Sequence, residues 1–346
     1  MTNLSLKLKA LQNLFLVISC FSIMVFTSCQ KENKDTSPVL KEMVSVSTVI
    51  EGLHSPMGLE KDEKGRLWVV EGGTGKCDGT VSIIIDGKIY PVITDFASNI
   101  FENGDVNGPT HLIFIDKCLY ILAPKGKMYK AQVADFKPGD APVKASSLAF
   151  EDIGTFVLAY NFVNNAHDSH PYNLTAGPDE AIYITDAGAN AIIRRAKNGA
   201  LSVVAEVPGV NNPLPFGPPV VQSVPTGIIW DGNNFLVTTL LGFPFPQGKA
   251  IIYKISLTGA VSIYQDGFTT LVDIAQGNTN GHLVLEHGSF GATGFVPNTG
   301  RLVWANGLTA TELKGGLNIP VGIKQTDEHT WYVTSLGDGS ILKVTE

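Results

Sequence analysis

Charge is scarce in this chain. Asp, Glu, Lys and Arg make up 16% of 346 residues, the formal net charge is −7, and the body carries no block of like charge and no basic stripe. Nucleic acid is therefore not an expected partner, since a phosphate backbone is met by clustered Lys and Arg. A mildly acidic surface mainly supports solubility. Helical periodicity is nearly absent, which excludes bundles and most α/β folds. No GxSxG elbow, HExxH helix or phosphate-cradling P-loop occurs, so three common routes to catalysis are missing. Cysteine is limited to four residues. What is plentiful is 36 Gly and 19 Pro in a chain that is 44% hydrophobic, a balance that favours many short strands and tight turns around a sizeable core.

The N-terminus is set apart. Lys7 and Lys9 precede an apolar run from Leu14 to Phe26, and FTSC at 26–29 places small residues directly before Cys29. The run is too short and too soon interrupted for a spanning helix, and reads as an export signal. The pattern resembles a bacterial lipoprotein signal, which implies lipidation of Cys29 as the mature N-terminus; an ordinary secretory signal is the alternative. Residues 1–28 are then the signal and 29–42 a polar tether to a membrane. Gln30, where aspartate would retain the protein at the inner membrane, implies the outer membrane, with the domain periplasmic or displayed at the surface. Cys20 falls within the signal, which leaves Cys77 and Cys118 in the body. An exported pair can form a disulfide or remain as two thiols, and spacing does not decide.

Residues 43–346 are built from repeats. SPMGL (55–59), GPTHL (108–112), HPYNL (170–174), VPTGI (224–228) and IPVGI (319–323) recur, and TLVDI (270–274) is a degenerate sixth copy. Each is followed by an Asp, Asn or Gly turn and a run of β-branched and aromatic residues, and two further strands usually follow. Six such antiparallel meanders predict an all-β, six-bladed propeller with four-stranded blades. The last repeat has room for only about three strands of roughly five residues. The strand within residues 43–52 lacks a blade of its own, so it is expected to complete the final blade and close the ring.

Taken together, VPTGI, LLGFPFPQG (240–248), AIIYKIS, GFTTLVDIA (267–275) and YITDAGANAIIRR (183–195) resemble the ScyD/ScyE family over nearly the whole body. GFPFP and DAGAN carry most of the resemblance; the remaining pattern is shared with NHL-type and lactonase-like propellers. Blade two departs most, with PKGKMYKAQ where a DAGAN-like stretch would fall. The family implies a six-bladed propeller and brings no established activity.

Strand alternation puts the connections between blades and the loops between second and third strands on one face, here called the top. The long insertions fall there, so Tyr160, Phe162, Phe216, Phe243, Phe245 and Phe290 are expected to share a rim, with His170 nearby. Such a rim can bind a protein, glycan or small molecule, or pack over the blade ends as a lid. Asp186 and Asn190 in DAGAN are expected to brace the turn backbone rather than do chemistry. Glu71, Asp186 and Glu286 each end a second strand, while His111, Asn173 and Asp273 hold the fourth pentad position near the channel. Glu71, His111, Asp273 and Glu286 are the candidate ligands for a divalent metal, Ca or Mg, and a metal-dependent hydrolase, lactonase or lyase working in the channel is the alternative to a binding module. Lactonase-like propellers commonly place a metal-binding Asn or Asp directly before the pentad Gly. Here that position holds Met57, Thr110, Tyr172, Thr226, Val272 and Val321, so such a site is not inherited.

Overall fold

A computed structural model describes residues 44–277 and 281–346; the export signal, Cys29 and the tether lie outside the described residues. The described chain forms the expected six-bladed propeller. Blade one runs through Pro56–Lys61, Leu67–Glu71, Gly79–Ile85 and Lys88–Phe96. Blade two uses Leu112–Ile115, Cys118–Ala123, Lys127–Ala131 and Ala149–Asp152. Blades three and four begin at Pro171–Ala176 and Pro225–Trp230, and blade five at Leu271–Gln276.

Blade six consists of Pro320–Asp327, Thr330–Ser335 and Ser340–Thr345, and its outermost strand is Ser45–Ile50 from the other end of the chain. Ser45 lies opposite Thr345 and Ile50 opposite Ile341, in antiparallel register. The N-terminal strand is thus the expected clasp.

The pentads owe their form to a bulge at the entrance of the inner strand. Ser55, Val224, Thr270 and Ile319 adopt φ between 45° and 53°, and the ladder slips just afterwards, between Pro56 and Leu59 and between Leu271 and Asp273, for example. An extra residue at that point re-aims the side chains that follow. The fourth pentad position thereby meets its counterparts on neighbouring blades. A Cβ built on Gly58 would lie 2.7 Å from His111 Cδ2, and one on Gly227 only 2.7 Å from Asp273 Oδ1. Glycine at these two positions makes room for the larger residue on the next blade.

Short bonds between neighbouring blades tie the ring. Gly58 N donates to Thr110 O at 2.8 Å, Thr185 Oγ1 to Thr226 O at 2.6 Å, Thr226 Oγ1 to Leu271 O at 2.9 Å and Thr334 Oγ1 to Met57 O at 2.6 Å. Apolar cores such as Trp68, Ile83, Phe96 and Ile121 fill the space between blades.

Blade two departs most from the meander, as its sequence implies. After Ala131 the chain crosses to blade one, where Val143–Lys144 adds a short parallel strand beside Ile93 and Thr94, before returning as Ala149–Asp152. A helix, Ile153–Ala159, follows, capped by Asp152 Oδ1, which accepts from Thr155 N at 2.8 Å. Cys77 is exposed and Cys118 buried, both as free thiols, so the pairing left open by the sequence is not formed.

Candidate ligand-binding funnel

The top face holds a funnel of about 980 Å³. Its floor is the third pentad position, with Met57, Tyr172, Val272 and Val321, and its wall is aromatic. Phe245 packs on Phe290 at 4.5 Å between ring centroids and on Phe295 at 5.2 Å. Phe243 stands 6.3 Å from Phe290 and 6.3 Å from Phe216, extending the row outward. Phe243 is 57% exposed and Phe216 55%, so the outer part of the row faces solvent rather than sealing blade ends. Pro244 holds the row in place: a Cβ on Gly217 would sit 2.9 Å from its Cδ, so the 209–225 loop rests against the GFPFP loop.

Polar groups are placed at intervals around this wall. His170 and His287 line the funnel, as do Asn103, Asp105 and Asn107. Burial lowers the pKa of both histidines, so each presents a neutral ring. His287 Nδ1 lies 3.0 Å from Pro320 O, a contact that assigns its proton to Nδ1 and leaves Nε2 as an acceptor.

The expected rim therefore requires correction in two places. Tyr160 and Phe162 do not line the funnel; Tyr160 stacks on Phe162 at 4.7 Å and approaches Phe156 at 6.3 Å, against the helix that the sequence did not reveal. In their place stand Phe295 and Phe101, the latter on the 97–107 loop, which carries no repeat signature.

The proposed metal ligands are dispersed. Glu71 Oε2 accepts from His54 N at 2.8 Å and Oε1 from Thr80 Oγ1 at 3.0 Å. Glu286 accepts from Thr269 N at 2.8 Å and is ion-paired with Arg301; burial raises its pKa against these partners. Both residues end second strands, one strand removed from the channel, and so brace the chain entering their own blade. Of the four candidates, His111 and Asp273 alone approach one another, with Nε2 to Oδ2 at 4.0 Å. Among the described residues no three His, Cys, Asp or Glu side chains converge as a metal site.

Asp186 behaves like Glu71 and Glu286. It is fully buried and accepts from His170 N at 2.8 Å, Ser169 Oγ at 2.7 Å and Ala189 N at 3.0 Å. Asn190 Oδ1 accepts from Val224 N at 2.8 Å, tying blade three to the entrance of blade four. DAGAN is thus a brace.

Beneath the funnel floor, His111 and Asp273 face each other across the channel. Burial lowers the His111 pKa to about 4, so at 4.0 Å from Asp273 its neutral ring forms no ion pair. Burial raises the Asp273 pKa to about 7 despite hydrogen bonds from Ile323 N, Ile274 N and Asn173 Nδ2.

A fold with inner strands around a channel and a loop-built upper face defines the chain as a six-bladed β-propeller. Neither a family model nor a curated protein matches it. Among solved structures it is similar to a streptogramin B lyase (TM-score 0.55, 18% identity, covering 88% of this chain and 99% of that one). It is also similar to the PQQ-bound aldose sugar dehydrogenase of Streptomyces coelicolor (TM-score 0.57, 16% identity, 87% and 98% covered) and to a gluconolactonase of Xanthomonas campestris (TM-score 0.55, 10% identity, 87% and 89% covered). Lyases, dehydrogenases and lactonases share this scaffold, so the likeness shows the fold and leaves the chemistry to the site.

Proposed function

We propose that this protein is an exported, lipid-anchored propeller of the ScyD/ScyE type whose upper funnel binds a small molecule with a flat, mainly apolar ring system. The observation that carries this reading is the row Phe243, Phe290, Phe245 and Phe295, which is partly open to solvent, lines a concave site and is extended beyond its edge by Phe216. Concave, aromatic-lined sites of this size with a few fixed polar groups suit small ligands better than a flat protein surface does. The neutral rings of His170 and His287 supply orientation without demanding a charged ligand. A metal-dependent reading built on Glu71, His111, Asp273 and Glu286 has no such support, because two of the four are occupied as braces.

The test is a thermal-shift screen of polycyclic aromatic compounds, followed by calorimetry on Phe243→Ala and Phe245→Ala. Aromatic anchors contribute about 2 kcal/mol or more when desolvated, so each variant is expected to bind at least tenfold more weakly. Phe243→Ala should hardly alter the melting temperature, since its ring is mostly exposed; Phe245→Ala should lower it. Unchanged affinity in a double variant that melts far lower would leave the row as a lid.

Anchoring in this reading rests on Cys29. Ser45 lies beside Thr345, at the end of the third strand of blade six away from the funnel. Cys29→Ala is expected to abolish uptake of labelled acyl chains and to release the protein from membranes; persistent labelling would reject lipidation at this residue.

A further inference from the structure

Below Tyr172 the channel opens into a second cavity of about 350 Å³, roofed by His111, Asn173 and Asp273 and flanked near its mouth by Glu60, Lys324 and Trp230. Most of the polar roof is already paired. Asn173 Nδ2 donates to Asp273 Oδ1 at 2.9 Å and its Oδ1 accepts from Leu174 N at 2.7 Å. Asp273 Oδ2 accepts from Ile323 N at 2.8 Å and keeps a free lone pair.

His111 is the exception. It is 4% exposed, its ring stacks on Tyr172 at 4.8 Å, and neither ring nitrogen has a partner at good hydrogen-bond geometry, the nearby Tyr172 backbone only partly offsetting the effect of burial on the ring. Buried polar atoms are normally paired, with protein or with something bound. The 4.0 Å between His111 Nε2 and Asp273 Oδ2 is too long for a direct bond. One oxygen placed about 2.8 Å from each atom would bond both.

We propose that the lower channel is a second binding site, for a small neutral polyol, in which one ligand hydroxyl fills the gap between His111 Nε2 and Asp273 Oδ2. Size and charge agree with that class. At about 30 Å³ per water the cavity has room for about twelve water volumes, enough for a five- or six-carbon polyol. Glu60 and Lys324 neutralise each other at 2.7 Å, so the mouth selects neither cations nor anions. Trp230 offers a flat apolar wall to the carbon side of such a ligand. The site is separate from the funnel, and its fate does not depend on the funnel reading.

The experiment titrates the full-length protein, 15N-labelled at histidine, with xylitol and with D-glucose, and in a parallel arm with calcium chloride. Either polyol is expected to shift the His111 ring resonances saturably, and His111→Phe is expected to weaken binding at least tenfold by calorimetry. Should that variant fail to fold, the wild-type titration decides alone. No response at His111 overturns the proposal. So does a response confined to His170 and His287, which would place the polyol in the funnel, and so does a response to calcium without one to either polyol. Unchanged affinity in folded His111→Phe overturns it as well.

Discussion

Deleting residues 44–52 is expected to open the ring. Among the described residues, the strand Ser45–Ile50 supplies the one antiparallel partner on the outer side of Ser340–Thr345, through five register pairs from Ser45↔Thr345 to Ile50↔Ile341. Ile50 is buried at 6% exposure in a cluster with Val69 and Ile341, and Val46 packs against the Trp331 and Val344 core. Ladder hydrogen bonds contribute about 1 kcal/mol each and a buried isoleucine about 2 kcal/mol. Their joint loss is therefore on the order of 5 kcal/mol or more, comparable with the whole stability of many domains, which is about 5–15 kcal/mol. The bared edge of Ser340–Thr345 then offers unpaired backbone groups to other chains. The deletion should lower the melting temperature sharply and yield aggregates by light scattering, whereas removing residues 30–40 should do neither. Equal losses in the two truncations would mean that the strand is not what closes the ring.

That closure was legible in the sequence because it is a matter of counting. The last repeat lacks one strand and the N-terminal segment has one to spare, and a propeller leaves a single place for it. The pentads were legible for a different reason. A bulge that recurs in five of the six blades, blade two excepted, needs the same few residue types each time, so Pro56, Pro171, Pro225 and Pro320 mark it even where the rest of the blade diverges. Alternation of strand direction also sorted the loops correctly, which is why Phe243, Phe245, Phe216 and His170 fall at or beside the funnel.

The site was less legible because it depends on how loops lean across the face. Nothing in residues 97–107 repeats, yet Phe101 and Asp105 reach the funnel; nothing in LAYNFVNN shows that Tyr160 and Phe162 turn back to pack on a short helix. The four candidate metal ligands are dispersed for a reason that strand order could have revealed. Glu71 and Glu286 end second strands, and in a four-stranded blade the first strand alone lines the channel. His111, at the entrance of the first strand of blade two, and Asp273, on the first strand of blade five, are the two that meet. Glycine at the fourth pentad position of blades one and four was the overlooked clue, since a residue without a side chain beside the channel marks where a neighbour's side chain must go.

Replacing Asp186 is expected to separate bracing from chemistry. In Asp186→Ala the backbone N–H groups of His170 and Ala189 and the hydroxyl of Ser169 all lose their acceptor at a site with no access to water. Removing one partner of a buried charged network costs about 3–5 kcal/mol. Asp186→Asn should cost much less, about 1 kcal/mol. Both backbone donors bind Oδ1, which an asparagine carbonyl can replace, and the Ser169 hydroxyl can turn to accept from the new amide. Burial raises the pKa of this carboxyl against the pull of its donors, so removing the charge also relieves a desolvation cost. Urea unfolding of the two variants should therefore rank Ala far below Asn, with Asn close to the parent and ligand affinity in the funnel intact. If Asn instead retained full stability and lost all binding or turnover, the carboxylate would be acting on a ligand, and the DAGAN stretch would belong to the working site.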